Sequence, residues 1–151
     1  MIEPVEKVET MRKSAVFADL PIEDIVIIAD ILQELEFQEG HIIFREGDPG
    51  DKMYIIVSGQ VIIQKGEGDK VEMTVTLGSG ECFGEMAILD GLPRSASVKA
   101  TKLANLLAIE REDFRELLRV YPEISLNVIQ ILSGRLRSAS SNTIKQIKEQ
   151  L

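Results

Sequence analysis

The hydrophobic and polar positions of the first 35 residues follow a helical period. In residues 4–17 apolar side chains recur at spacings of three and four among charged ones, which predicts a short amphipathic helix. The next stretch, DLPIEDIVIIADILQEL (residues 19–35), has Asp19 as a candidate N-cap and Pro21 in the first turn, followed by one broad apolar face. We therefore expect two helices at the start of the chain.

From Phe37 the pattern changes to short runs rich in β-branched residues. These runs are HIIF, YIIV, QVIIQK, VEMTVTL, RSASVKA and NLLAIE. The segments EGDPGD, SG, KGEGDK and GSGE lie between them and have the composition of turns. This regular alternation of strand and turn predicts a β-sandwich or barrel.

After Glu110 the helical period returns. The segment REDFRELLRVYP predicts one helix, which Pro122 ends, and a second helix is expected from about Pro122. The second helix takes its apolar face from Ile124, Val128, Ile131, Leu132 and Leu136. We expect it to weaken over residues 133–143, because serine, asparagine and threonine side chains compete for backbone hydrogen bonds. The helix should resume at residue 144, with Ile144, Ile147 and Leu151 facing a partner.

Composition and charge narrow the classes of function. With 151 residues, 44% of them hydrophobic, the chain can bury one core, so one domain is expected. The formal net charge is −8, and no basic stripe is visible, so we expect this chain alone not to bind nucleic acid. Any anion it binds must be held by a local pocket.

The residue types also argue against metal and enzyme chemistry. The only cysteine is Cys82 and the only histidine is His41, which excludes an internal disulfide and argues against zinc sites and Ser-His triads. We expect no metal and no enzyme activity. No run approaches the roughly 18 apolar residues of a membrane span, and no signal peptide is visible, so we expect a soluble cytoplasmic protein with no membrane partner.

The stretch FGEMAILDGLPRSASV (residues 83–98) places one carboxylate and one arginine in an apolar run. Gly84 permits close approach of the backbone, and amide hydrogens of a short helical turn there attract an anion. Arg94 offers a planar fork suited to phosphate oxygens, and Glu85 can accept a hydrogen bond from a hydroxyl. A ribose phosphate satisfies both residues, but a buried salt bridge between Glu85 and Arg94 explains the same pattern.

The order of these residues resembles the cyclic nucleotide-binding domains of cyclic-nucleotide-dependent kinases, gated ion channels and bacterial catabolite activator proteins. The phosphate-binding cassette of that family reads FGE, a small apolar segment, a turn, PR, small residues and Val, as residues 83–98 do. VFADLPIEDI, GHIIFREGDPGDKMYIIVSGQV and REDFRELLRVYPEI extend the resemblance over nearly all of residues 15–137. It implies an α+β fold, an antiparallel β-roll (double-stranded and jelly-roll-like) flanked by N-terminal helices and two C-terminal helices.

The resemblance also implies a set of ligand-binding residues. Arg94 would bind the exocyclic phosphate oxygens, Glu85 the ribose 2′-hydroxyl, and Ser95 the phosphate through its hydroxyl and amide. Backbone contacts would come from Gly84, Met86, Ala87 and Ala96. The last helix would cover the base, with Ser138 and Ser140 near the purine, although a solvated, frayed helix end explains these serines equally well. We expect cAMP as the preferred ligand, with cGMP as the alternative.

The expected organisation has three parts. An N-terminal helical segment (1–18) precedes the cyclic nucleotide-binding domain (19–137), and a C-terminal helix extension (138–151) acts as a lid or interaction segment for a second copy or an effector domain. The expected function is that of a regulatory sensor module in which the C-terminal helix closes over the base. Two alternatives remain: an interaction domain that has lost ligand binding, and a truncated transcription regulator.

Overall fold

A computed structural model of the protein describes residues 2–66 and 68–150. Five helices and six strands are present in this part of the chain. They are α1 (Pro4–Lys13), α2 (Ile22–Ile31), β1 (Gln33–Phe37), β2 (Ile42–Phe44), β3 (Lys52–Lys65), β4 (Met73–Leu77), β5 (Cys82–Phe83), α3 (Glu85–Asp90), β6 (Ser97–Glu110), α4 (Arg111–Val120) and α5 (Pro122–Gln150).

The six strands form one antiparallel sheet that is wound into a roll. Strand β6 pairs with β1, β2 and β3, and β3 pairs in turn with β4 and β5. Both β3 and β6 are 14 residues long, so each of them contributes to more than one part of the roll. The α+β class and the antiparallel β-roll flanked by helices are therefore confirmed.

Alternation along β3 and β6 divides the core in two. Met53 and Ile55 point to the helices and belong to a cluster with residues of α1, α2, α4 and α5, whereas Tyr54 and Ile56 point into the roll. Each of the two isoleucines is at most 1% exposed, and burying such a side chain stabilises the fold by about 1.5–3 kcal/mol. The period of two thus fixes which face of each strand meets the helices.

One expected turn lies inside a strand. Ser58 and Gly59 sit in the middle of β3, where the register against β6 shifts. Gly59 has a φ of 94°, and a Cβ there would overlap the carbonyl oxygen of Leu103. The prediction of a turn at SG was wrong, because the glycine serves a β-bulge in a continuous strand.

The boundaries of the N-terminal helices also differ from expectation. Helix α1 ends at Lys13, and α2 ends at Ile31, so that Gln33–Phe37 form β1 and not a last helical turn. Asp19 does not cap α2, which has no side-chain cap; its carboxylate accepts a hydrogen bond from Asn127 Nδ2 at 2.8 Å. Asp19 therefore connects the N-terminal segment to α5.

Helix α5 is continuous over 29 residues, so the expected weakening at 133–143 was wrong. The hydroxyl of Thr143 donates to the carbonyl of Ala139 at 2.9 Å, which places this polar side chain within the helical pattern without breaking it. Ile124 and Val128 pack on the core, but Leu136 is 69% exposed and does not belong to that face. Leu151 lies outside the described residues. No helix of residues 2–66 and 68–150 is long and apolar enough to span a membrane.

Candidate functional site

Gly84 joins β5 to α3 in a left-handed conformation. Its φ is 86°, and a Cβ at this position would lie 2.8 Å from Arg94 Nη1 and 3.1 Å from the carbonyl oxygen of Lys52. The close approach that the sequence predicted at Gly84 is therefore made first by the side chain of Arg94. Any larger residue here would push the arginine out of its place.

Arg94 is buried, with an exposed fraction of only 4%. Its Nη1 donates to the Gly84 carbonyl at 2.8 Å, and its Nη2 donates to the Lys52 carbonyl at 2.7 Å. The guanidinium carbon lies 4.0 Å from the centre of the Phe44 ring, a cation–π geometry worth on the order of 2 kcal/mol when desolvated. These three contacts hold the charge in place without cancelling it.

The charge of Arg94 has no direct counter-ion in the described part of the chain. No carboxylate oxygen there lies within 4.0 Å of its nitrogens, and Nε is buried without a hydrogen-bond partner. Burial lowers the pKa of Arg94, and the nearby Tyr54, Asp51 and Glu85 oppose that shift. An arginine nevertheless remains protonated at neutral pH, so the cassette contains a cation that has no counter-ion among the described residues.

Glu85, the first residue of α3, is 7% exposed and forms an ion pair. Its Oε1 accepts a hydrogen bond from Nη1 of Arg135 in α5, and the side chain of Arg135 is 51% exposed. The salt bridge considered between Glu85 and Arg94 is therefore wrong, because each residue has other partners. The two charges thus have separate partners, although the Arg94 guanidinium lies against Gly84, the residue directly before Glu85.

The family of this chain is shown by a match that includes the cassette. A sequence model described as "Cyclic nucleotide-binding domain" matches residues 34–121, which span the roll, the cassette and α4. The chain belongs to the cyclic nucleotide-binding domain family. The match ends at Tyr121, so α5 and Arg135 lie beyond it.

Similar proteins include regulators and kinase subunits. A CRP-like cAMP-activated global transcriptional regulator of Mycobacterium tuberculosis is 33% identical over 89% of this chain and 60% of its own length. The crystal structure of the Thermus thermophilus catabolite activator protein has a TM-score of 0.80 and 35% identity, over 86% of this chain and 62% of that one. The regulatory domain of Toxoplasma gondii PKA, solved with cAMP, has a TM-score of 0.69 and 27% identity, over 75% of this chain and 43% of that one.

The chain spans about 60% of the length of the Mycobacterium regulator. The shared part covers 89% of this chain. What the rest of those proteins does is not carried over to this chain by the similarity.

The other residues predicted for the cassette surround Arg94 and Glu85 to different degrees. Ala87 is 4% exposed and faces the backbone of Gly50, whereas Met86 is 48% exposed. Ser95 is exposed and Ala96 is half-buried, both directly after Arg94. Their contacts to a ligand stay predictions, but all four residues lie on the elements that carry Glu85 and Arg94.

Ser138 and Ser140 are exposed on α5, beyond Arg135. At 1.5 Å per residue, Ser138 lies about one turn farther along the helix than Arg135, and the two serines lie on different sides of it. Neither hydroxyl bonds to the cassette among the described residues, so their contact with a base stays a prediction. Val71 and Val75, which are 37% and 40% exposed, offer apolar surface near the end of the roll.

Cys82 precedes the cassette but has the character of a core residue. Its thiol lies 3.1 Å from the hydroxyl of Ser14, and burial raises its pKa from 9.0 to about 11. The thiol is therefore neutral at physiological pH and a poor nucleophile. Two arginines that the sequence did not single out, Arg135 and Arg111, make the contacts that connect the cassette to the helices.

Proposed function

We propose that this domain is a regulatory module that binds cAMP in preference to cGMP and signals occupancy through α5. The observation that carries the proposal is the buried guanidinium of Arg94 within the phosphate-binding cassette, for which residues 2–66 and 68–150 provide no carboxylate partner. A buried charge is stable only when it is met by an opposite one, and a cyclic phosphate supplies one negative charge.

The phosphate is expected to bind at Arg94 and Ser95. Two of the five N–H donors of Arg94 bond to the carbonyls of Gly84 and Lys52, and we expect the other donors to bond to the exocyclic oxygens. The exposed hydroxyl and amide of Ser95 complete the contacts. Since the arginine is already fixed by the Phe44 ring, little side-chain entropy is lost on binding.

The ribose is expected to bind at Glu85. A carboxylate is an acceptor with two oxygens, and Arg135 bonds to Oε1, so Oε2 is the acceptor we assign to the 2′-hydroxyl. Gly84, Met86, Ala87 and Ala96 would add contacts mainly through their backbone. A ligand without the 2′-hydroxyl should therefore lose this part of the binding free energy.

Helix α5 is expected to close over the base. The ion pair between Glu85 and Arg135 connects the sugar site directly to this helix, so that a ligand on Glu85 changes the contacts of α5. A cavity of about 20 Å³, enough for about one water molecule, lies beside the ion pair, between Cys82 and the buried face of α5. Ligand would then shift the population of α5 positions by its differential affinity for them.

The preference for cAMP rests on the relatives. The Mycobacterium regulator is described as cAMP-activated, and the Toxoplasma domain was crystallised with cAMP. Ser138 and Ser140, on the part of α5 that follows Arg135, are the residues we expect near the purine. We propose no catalytic role, and with a net charge of −8 we propose no nucleic-acid partner for this chain alone.

The outer face of α5 is proposed as the contact surface for a second copy of the chain. Five of its apolar side chains, Leu126, Ile129, Leu136, Ile144 and Ile147, are 53–69% exposed. Leu126, Ile129, Ser133 and Leu136 follow one another at spacings of three, four and three residues, which is typical of a coiled-coil seam, and Ile144 and Ile147 add a further apolar pair three residues apart. An effector domain is the alternative occupant of the same face.

Calorimetric titration tests the proposed ligand. We expect wild-type protein to bind cAMP more tightly than cGMP, and 5′-AMP, in which the phosphate ring is open, to bind much more weakly than either. Absence of heat with both cyclic nucleotides would reject the binding function and leave an interaction domain as the better description. Tighter binding of cGMP would reject only the ligand preference.

A further inference from the structure

Arg111, the first residue of α4, fastens two separate segments to each other. Its Nη2 donates to the Gly50 carbonyl at 2.9 Å and to the Ala87 carbonyl at 3.0 Å. Its backbone amide donates to the Asp51 carbonyl at 2.9 Å. One residue thus joins the loop of residues 45–51, between β2 and β3, to the cassette helix α3 and to the start of α4.

The loop that Arg111 holds also determines where Arg94 lies. Gly50 is buried, and a Cβ there would overlap Ala87 Cβ and lie 3.1 Å from Arg94 Nε, so the loop backbone runs between these two residues. The backbone amide of Arg94 donates to the Asp48 carbonyl at 2.8 Å, and the Gly47 amide donates to the Arg94 carbonyl at 2.8 Å. A displaced loop would therefore displace Arg94.

The two arginines bond to different carbonyls of the same two segments. Arg94 joins Lys52 to Gly84, and Arg111 joins Gly50 to Ala87. The two carbonyls use two of the five N–H donors of Arg94, so its remaining donors are the ones that can turn to a phosphate. The bonds of Arg111 go to other carbonyls and do not compete with the ligand, so they can hold the loop against α3 whether or not Arg94 changes partners.

We propose that Arg111 is a positioning residue for the phosphate site. It does not touch the nucleotide; it keeps the loop of residues 45–51 and α3 at the separation that directs Arg94 to the phosphate. This inference rests on the proposed nucleotide-binding function. It also gives α4 a direct connection to the cassette, in addition to the connection that Arg135 gives α5.

The geometry requires a guanidinium. Nη2 has two hydrogens and serves both carbonyls, while Nε is buried and has no partner among residues 2–66 and 68–150. A lysine at this position has a shorter reach and a tetrahedral head group, so we expect it to keep one of the two bonds at best. Arg111→Lys should consequently give an intermediate result, and Arg111→Met, which removes the charge at similar length, should give the full effect.

Hydrogen exchange without ligand tests the clamp itself. In Arg111→Met we expect faster amide exchange in residues 47–52 and 84–91, with β3 and β6 protected as in the wild type. The matched control is Arg119→Met on the same helix, where the exposed guanidinium donates a hydrogen bond to the exposed carboxylate of Glu116. Uniformly faster exchange over the whole domain, or unchanged exchange in both segments, would overturn the proposal.

Titration with cAMP tests the consequence for binding. We expect roughly tenfold weaker binding for Arg111→Met, a smaller loss for Arg111→Lys and no change for Arg119→Met. Wild-type affinity in Arg111→Met would overturn the positioning role. If the wild type itself bound no cyclic nucleotide, the proposed function would fail, while the exchange measurement would still decide whether Arg111 holds the loop.

Discussion

The charges of Arg94 and Glu85 have different kinds of partner. Arg94 is surrounded by carbonyl oxygens and an aromatic ring, whereas Glu85 has a full counter-charge on Arg135. Removing Arg94 should therefore cost a ligand more than removing Glu85, because only Arg94 offers a charge to the phosphate. The assignment of separate roles to the two residues leads to a ranking that can be measured.

Glu85→Ala should weaken cAMP binding by about 1.5–3 kcal/mol, the range for one hydrogen bond to a charged group. This loss of binding free energy should be smaller than the loss for Arg94→Ala. It should also be smaller when the ligand is 2′-deoxy-cAMP, which has no 2′-hydroxyl to donate a hydrogen bond to Glu85. Titration calorimetry gives both comparisons, with the exposed Glu123→Ala on α5 as the control. An equal loss for both ligands would contradict the assignment of Glu85 to the 2′-hydroxyl.

Cys82 is predicted to be unreactive toward alkylating reagents near neutral pH. Burial raises the pKa of its thiol to about 11, so the folded protein holds the neutral form while the unfolded chain ionises near 9.0. Because the thiol pKa is higher in the folded than in the unfolded state, the neutral thiol contributes to the free energy of unfolding. This contribution is present below pH 9 and is lost as the pH rises toward 11. Alkylation rates followed from pH 7 to 10 in native and urea-unfolded protein give the test; equal rates in the two states would refute the prediction.

At the scale of elements, the two sequence periods located most helices and strands. The period of 3.6 found α4 and the start of α5. The β-branched runs found segments of β3 and β6, but each of these long strands was predicted as two shorter runs. Strand β1 was missed since Leu32 and Leu35 continue the helical spacing of α2, and only the pairing of β1 with β6 decides against a helix. Local sequence does not contain that pairing.

The glycines show the same limit. Gly59 in SG has the composition of a turn, and its role in a bulge depends on Leu103, which is 44 residues farther along the chain. The cassette could be predicted because its residues are contiguous and their order is characteristic. Arg135 and Arg111 could not, because nothing in the local pattern separates them from the other arginines of α4 and α5.

Gly59→Ala should destabilise the domain by about 2 kcal/mol or more. Alanine at this position is strained by the left-handed φ, and its Cβ overlaps the carbonyl oxygen of Leu103. Gly134→Ala is the matched control: this helical glycine has open space around it, so alanine there should stabilise α5 by roughly 0.5–1 kcal/mol. Urea denaturation compares the two variants, and a neutral Gly59→Ala would mean that the bulge does not exist.

The outer face of α5 makes a prediction about assembly. Leu136→Lys places a charge in the proposed seam between two copies and should convert dimer to monomer, as measured by sedimentation or light scattering. Leu103→Lys is the control, since Leu103 is also exposed, at 47%, but lies in the roll and not on α5. A wild-type monomer at all concentrations would show that the seam does not join copies of this chain.

At the scale of the whole molecule, the negative net charge restricts how an anion can be bound. A body with a net charge of −8 repels anions in general, so an anionic ligand must be bound by a local arrangement of donors. The β-roll supplies that arrangement, and α4 and α5 are each connected to it by one arginine. We propose that binding at the cassette is communicated to both C-terminal helices through these two arginines.

The central claim is that Arg94 is a cation kept for the phosphate of a cyclic nucleotide. Calorimetric titration of cAMP into wild type and Arg94→Ala tests it most directly, with Arg12→Ala, an exposed position on α1, as the charge-matched control and an unfolding curve to show that each variant is folded. We expect wild type and Arg12→Ala to bind alike, and Arg94→Ala to lose about 3–5 kcal/mol of binding free energy. Equal affinity of folded Arg94→Ala and wild type would contradict the claim.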